Sequence, residues 1–164
     1  MNTRQREVIC LVGITTLGIV IAGWLQPFLL QQVPFSMTNK VRDEWMDSVF
    51  SPVNNGILLL GILTSLFWYI RAYNLQFMAA KPVIGNGFWW WFLFYLYGVI
   101  GAIACLLVAY LNNWLGEVEG AVASLICLCV DVIVLYWLPT ALATPKSLRY
   151  VPPFSAELRK LYGG

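Results

Sequence analysis

CLCVDVIVLYW, residues 127–137, is an almost unbroken apolar run with a single carboxylic acid, Asp131, inside it. The run lies within a longer stretch, about residues 120–143, in which Asp131 is the one charged residue. A helix needs roughly 20 apolar residues to cross the hydrocarbon core of a bilayer. The stretch therefore predicts a transmembrane helix with an ionisable group near its middle.

The composition of the whole chain agrees with this prediction. Of the 164 residues, 60% are hydrophobic and only 11% are charged, and the mean hydropathy is +0.72. Soluble domains carry about 25% charged residues. The few charges of this chain fall in short clusters separated by long uncharged intervals, which is typical of a polytopic membrane protein.

The uncharged intervals predict four transmembrane helices, over about residues 8–30, 55–77, 88–111 and 120–143. The first interval is longer than the apolar core of a signal peptide, so we expect it to be a retained helix. The predicted fold is an all-α integral membrane protein, a four-transmembrane-helix bundle. We expect one membrane domain, residues 1–164, with no room for a separate catalytic module.

The segment between the first two predicted helices has an amphipathic pattern. Apolar residues recur every four positions, at Met37, Val41, Trp45 and Val49, with charged residues between them. This pattern predicts an amphipathic interfacial helix over about residues 38–50, on the outer membrane face. Trp45, Val41 and Val49 are then candidates for docking to a partner or to the membrane. The alternative is a connector that rests at the interface.

The distribution of basic residues predicts the orientation in the membrane. Basic residues occur before the first helix, beside the second link and in the tail, at Arg4, Arg6, Arg71, Lys81, Lys146, Arg149, Arg159 and Lys160. The third link carries Glu117 and Glu119 and no basic residue. Because basic loops stay on the cytoplasmic side, both termini are predicted to be cytoplasmic. We expect a multi-pass protein of the plasma membrane or an inner membrane.

The cytoplasmic tail, residues 144–164, contains a second amphipathic pattern. Ser155 is a suitable cap for a short helix with the sequence SAELRKLY. Leu158 and Leu161 on this helix are candidates for contact with lipid or with a partner. A membrane-associated tail and a docking site for a peripheral protein are both consistent with the pattern.

Asp131 needs a partner if it is buried in a bilayer. At about 1.5 Å per residue it lies roughly 16 Å below the outer face, near the middle of the core. Arg71, in a helix of the same direction, lies roughly 24 Å deep. An arginine side chain is long enough to span this difference in depth. If the second and fourth helices are neighbours, an Asp131–Arg71 pair is therefore predicted. In the alternative, Arg71 extends to the cytoplasmic interface and Asp131 has no counter-ion.

An acid without a counter-ion at this depth costs roughly 2.5–3.5 kcal/mol on insertion scales. Asp131 would then be neutral and would donate a hydrogen bond to a backbone carbonyl, or to Thr15 or Thr16 on the first helix. Three roles stay open for the site formed by these residues. They are a structural contact between helices, a proton or cation site in a transport path, and a catalytic group.

The sequence lacks the residues that several kinds of catalytic and cofactor-binding site require. The chain has no histidine, which removes histidine-based acid–base catalysis and most catalytic zinc sites. The four cysteines form no C-x-x-C pair, and no glycine-rich phosphate-binding motif is present. We therefore expect no cofactor and no metal, and the net charge of +2 is too small to indicate nucleic-acid binding.

These observations favour a non-catalytic membrane protein. The leading hypothesis is a scaffold, assembly or accessory subunit of a membrane complex or homo-oligomer, with the lipid bilayer as its environment. The alternative is a small homo-oligomeric channel or ion- or proton-coupled transporter that uses Asp131. Small residues four apart, such as Gly18 with Ala22 and Gly120 with Ser124, allow helices to approach closely in either case.

Overall fold

Four long helices make up most of the chain in a computed structural model that describes residues 3–33, 36–75, 83–114, 116–144 and 151–160. Each is long and apolar enough to cross a membrane, over Gln5–Gln32, Asn39–Asn74, Gly87–Leu111 and Val118–Ala143. We refer to these four as the first to fourth long helices. The described residues contain no strand. The all-helical fold with four helices of spanning length, which the sequence predicted, is confirmed.

Three of the long helices contain a wider, π-helical turn. In chain order the helical segments are Thr3–Val20, Ile21–Leu25 (π), Gln26–Gln32, Asn39–Trp45, Met46–Phe50 (π), Ser51–Leu75, Val83–Leu111, Val118–Asp131, Val132–Trp137 (π), Leu138–Ala143 and Ser155–Lys160. The residues that flank each wide turn keep helical backbone angles. Each π turn therefore widens a helix locally without ending it.

Each wide turn ends two residues before a proline. The prolines are Pro27, Pro52 and Pro139. Proline has no backbone N–H, and its ring collides with the carbonyl of the residue four positions earlier. A turn with an extra residue moves that carbonyl away from the ring, so the helix continues past the proline.

The sequence predicted a separate interfacial helix over residues 38–50, and the structure corrects this prediction. A helix does begin at Asn39, where the Thr38 hydroxyl accepts a hydrogen bond from Val41 N–H, but it runs on into the second long helix. The physical reason is that the nearest breaker, Pro52, is accommodated by the wide turn before it. The second long helix thus begins 16 positions earlier than the predicted start at residue 55.

The start of the third long helix also differs from expectation, whereas its end at Leu111 agrees with the prediction. The predicted helix over residues 88–111 begins five residues earlier, because the helical segment is Val83–Leu111. At the other end, Asn113 adopts a left-handed conformation with φ of 60°. The amide of Trp114 then bonds to the carbonyl of Ala109 at 2.8 Å, which is a common way to end a helix.

The fourth long helix is the centre of the packing and contacts the other three. Two of the close approaches to other helices occur at glycines. A Cβ atom on Gly18 of the first helix would lie 2.9 Å from the Val134 carbonyl oxygen, and one on Gly120 would lie 2.8 Å from Nε1 of Trp45. Both backbones can approach because neither glycine carries a side chain.

Two contacts outside the long helices add to this arrangement. The amide and the hydroxyl of Ser36 both donate to the carboxylate of Glu119, at 2.7 and 2.8 Å. At the other end, Trp137 Nε1 donates to the Pro153 carbonyl at 3.2 Å. The first link and the tail are thus each hydrogen-bonded to the fourth long helix.

Candidate functional site

The most deeply buried acid of the described chain is hydrogen-bonded to a glutamine of another helix. Asp131 is 1% exposed and Gln26 is 6% exposed. The Gln26 Nε2 atom donates to Asp131 Oδ1 at 2.7 Å and to the Cys127 carbonyl at 3.3 Å. This amide therefore connects the first long helix to both the side chain and the backbone of the fourth.

The proline-associated wide turns position this pair. Gln26 directly follows the turn Ile21–Leu25, and its own N–H donates to the Ile21 carbonyl, five residues earlier. Asp131 directly precedes the turn Val132–Trp137. The two side chains therefore meet where both helices are locally widened. Wide turns of this type often occur at functional sites.

Such turns leave backbone carbonyls without their usual amide donors, and polar side chains of the second long helix replace them. Asn54 Nδ2 donates to the Ala22 carbonyl at 2.8 Å, and the Ser65 hydroxyl donates to the Leu135 carbonyl. Both Asn54 and Ser65 are buried. These bonds satisfy groups that would be costly to bury unpaired in a membrane interior.

A small chamber lies beside Asp131, between the second, third and fourth long helices. Its volume is about 10 Å³, and its lining is formed by Phe50, Val53, Asn54, Ile57, Cys105, Ser124, Cys127, Leu128 and Asp131. Among these residues only Asn54, Ser124 and Asp131 have side chains that contain oxygen atoms. Two larger cavities, of about 400 and 430 Å³, do not include Asp131 among their lining residues.

Arg71 does not form the expected pair with Asp131. Its guanidinium lies over the Trp89 ring, 4.7 Å from the ring centroid, and in the described part of the chain no ion pair joins it to Asp131. The expectation counted depth from residue 55, whereas the second helix starts at Asn39. Because of that offset Arg71 lies beyond Trp68, whose Nε1 bonds to Thr144 near the end of the fourth long helix. It is therefore several turns away from Asp131.

Thr15 and Thr16 are not partners of Asp131 either. Thr16 is exposed, and its hydroxyl donates to the Val12 carbonyl of its own helix at 2.8 Å. Thr15 is half-buried, and within the described residues it makes no hydrogen bond with Asp131. The bond from the first helix to Asp131 comes instead from Gln26, nearly three turns further along that helix.

The candidate docking residues divide into buried and partly accessible ones. Trp45 and Val49 are 1% and 2% exposed and pack inside the bundle, which corrects the expectation that they face a partner or the membrane. The pattern identified the correct apolar face, but that face meets the fourth long helix. Val41 and Leu158 are half-buried, and Leu161 lies outside the described residues.

The cysteines are free thiols. Cys105 and Cys127 both line the chamber beside Asp131, while Cys129 is exposed on the outer face of the fourth helix. Among the described residues no group of three or more acidic or thiol side chains is placed to hold a metal ion. The site as a whole is a set of interhelical hydrogen bonds around one acid.

Three residues of the candidate site were not predicted from the sequence, namely Gln26, Asn54 and Ser65. A signal for them was present, because three prolines interrupt long apolar stretches and each must orphan backbone carbonyls inside a helix. Polar side chains in neighbouring helices are the expected donors. Gln26 lies near the end of the predicted helix over 8–30, whereas Asp131 lies near the middle of the helix over 120–143, so the predicted bounds do not bring the two residues together.

Comparison with known proteins gives no further identification. No protein-family model, curated protein or solved structure matches the chain.

Proposed function

We propose that this chain is a non-catalytic integral membrane protein that serves as a scaffold, assembly or accessory subunit of a membrane complex or homo-oligomer. The observation that carries the proposal is the environment of Asp131. The acid is buried, bonded to Gln26 and bordered by a chamber of about 10 Å³. An ion or proton path needs a continuous water-filled route to the acid, whereas a structural contact between helices needs no such route.

The outer surface of the bundle supports the same proposal. Large apolar side chains are exposed along every long helix, for example Leu17, Leu63, Ile103 and Ile126. The first long helix is the least covered by the rest of the bundle. Only 17% of its most apolar 18-residue stretch is buried, against 44% for the fourth long helix. In a membrane these faces contact lipid or the helices of a partner subunit, and the first helix offers the largest free face.

The proposed topology has both termini in the cytoplasm, in the plasma membrane or an inner membrane. The first helix starts, and the fourth helix ends, at the same end of the bundle, since Thr3–Val20 packs against Leu138–Ala143. Basic residues at that end favour the cytoplasmic side. A reporter fused after Gly164 tests this, with cytoplasmic activity expected. A reporter fused after Asn113 is the matched control, with activity only on the opposite side.

The first experiment for the subunit role is purification in a mild detergent followed by native mass determination. The expected result is a mass above 18.5 kDa, which reports either copies of this chain or a partner protein. A monomer free of partners, in both detergent and lipid nanodiscs, would contradict the proposal. Leu17→Ala changes an exposed residue of the first helix and leaves the core untouched. If the interface lies on this helix, the variant should lower the share of the higher-mass species.

The second experiment tests the transport alternative. Purified protein is reconstituted into vesicles, and proton and cation flux are compared for the parent and Asp131→Asn. We expect no flux above that of empty vesicles in either. A pH-dependent flux that is present in the parent and lost in Asp131→Asn would replace the subunit proposal with a transporter.

A further inference from the structure

The chamber beside Asp131 has the size and the polar groups of a site for one small hydrogen-bonding molecule. A cavity of roughly 10–15 Å³ is the smallest that holds one water molecule, and a buried water typically makes about three hydrogen bonds. The chamber measures about 10 Å³. It therefore holds one water at most and excludes any larger ligand.

Three buried polar side chains line the chamber, and each has hydrogen-bonding capacity left. Asp131 uses Oδ1 for the bond from Gln26, while its second carboxyl oxygen has no bond within the described part of the chain. Asn54 uses Nδ2 for the Ala22 carbonyl, and its Oδ1 remains. The Ser124 hydroxyl has no partner among the described residues. Their exposed fractions are 1%, 5% and 7%, so only a small part of each side chain reaches the surface of the bundle.

We propose that this chamber is a binding site for a single water molecule that joins the second and fourth long helices. The water donates to the free carboxyl oxygen of Asp131 and to Oδ1 of Asn54, and it accepts a hydrogen bond from the Ser124 hydroxyl. Three bonds satisfy three otherwise unpaired polar groups. Together with Gln26, the water makes a network that reaches three helices.

The arrangement works for both protonation states of the acid. The amide of Gln26 donates to Oδ1, so a proton on Asp131 would be carried by the other oxygen. A protonated Asp131 donates to the water, and an ionised Asp131 accepts from it. The water then changes its orientation while the heavy atoms keep their places.

A metal cation fits the same chamber less well. Ca²⁺ and Mg²⁺ take about six or more oxygen ligands, whereas three side chains with such oxygens line this chamber. The other lining residues are apolar or carry thiols, and among the described residues no metal-binding group of acids and thiols is present. The shortage of oxygen ligands favours a neutral water over a cation.

The direct test is a structure in lipid nanodiscs at a resolution that shows ordered waters. The expected result is one density peak in the chamber, about 2.6–3.2 Å from Asp131, Asn54 and Ser124. Ser124→Val, which fills the chamber with methyl groups, is expected to lose the peak. Ala123→Val is the matched control on the same turn, because Ala123 lines a groove beside Leu30 and Val33; it should keep the peak.

Two outcomes overturn the proposal. The first is a chamber without density in the parent protein, or with density that persists in Ser124→Val. The second comes from thermal unfolding in sodium chloride and in choline chloride at equal ionic strength. We expect equal melting temperatures, whereas a sodium-specific rise that disappears in Asp131→Asn would assign the chamber to a cation, since binding to the folded state stabilises it by mass action.

Discussion

The Ser65 hydroxyl donates a hydrogen bond to the Leu135 carbonyl, and this is the carbonyl that Pro139 leaves without its usual amide donor. In a regular helix the N–H of the residue four positions later would bond to it. Residue 139 is a proline and has no N–H. Ser65, on the second long helix, thus supplies from outside the bond that the fourth helix cannot make for itself.

The first prediction is a double-mutant cycle on Ser65 and Pro139. Ser65→Ala in the parent leaves a buried carbonyl unpaired and should lower the free energy of unfolding by about 1 kcal/mol. In a Pro139→Ala background the new N–H bonds to Leu135, so the same change should cost close to nothing. Unfolding in mixed micelles by titration with an ionic detergent measures all four proteins. Equal costs in both backgrounds would contradict the assignment.

The second prediction concerns the bond between Gln26 and Asp131. Asp131→Asn keeps an oxygen that accepts from Gln26 Nε2, so its unfolding free energy should stay close to that of the parent. Asp131→Leu removes the acceptor and should cost about 1–2 kcal/mol. The double variant with Asp131→Leu and Gln26→Leu should lose less unfolding free energy than the sum of the losses in the two single variants, because no unpaired amide remains. An Asp131→Asn protein as unstable as Asp131→Leu would contradict the hydrogen-bond role.

The third prediction uses two glycines of the first long helix. A Cβ on Gly18 would lie 2.8 Å from Cδ2 of Leu135 and 2.9 Å from the Val134 carbonyl oxygen, whereas one on Gly13 has no atom within 4 Å. Gly18→Ala should therefore force the first and fourth helices apart and cost about 1–3 kcal/mol. Gly13→Ala should be neutral or slightly stabilising. Melting temperatures in one detergent measure both variants, and similar values would argue against the close contact at Gly18.

The fourth prediction compares a buried tryptophan with an exposed one. Trp45 is 1% exposed and packs on Gly120, while Trp24 is 67% exposed. Trp45→Ala should cost about 3–5 kcal/mol because it opens a cavity in the core. Trp24→Ala removes a surface ring, so its unfolding free energy should change little. Equal losses in the two variants would instead indicate that the segment over residues 38–50 lies on the membrane surface, as the amphipathic pattern predicted.

Some features of the site followed from the sequence and others did not. The unusual status of Asp131 was readable, because a charged residue in a long apolar run is costly wherever it lies. The apolar face through Trp45 and Val49 was also readable, because helical periodicity is local. What covers that face was not, since a bilayer and a neighbouring helix are both apolar and leave the same pattern.

By itself, the sequence determined four apolar helices and one buried acid, because hydropathy and residue spacing depend only on neighbours along the chain. Only the tertiary structure decided that Gln26, and not Arg71, bonds to Asp131. Which residue bonds to Asp131 depends on where each helix begins and on how the wide turn before each proline shifts the residues that follow. A start at Asn39 moves Arg71 past the end of the fourth helix, and two wide turns bring Gln26 to Asp131.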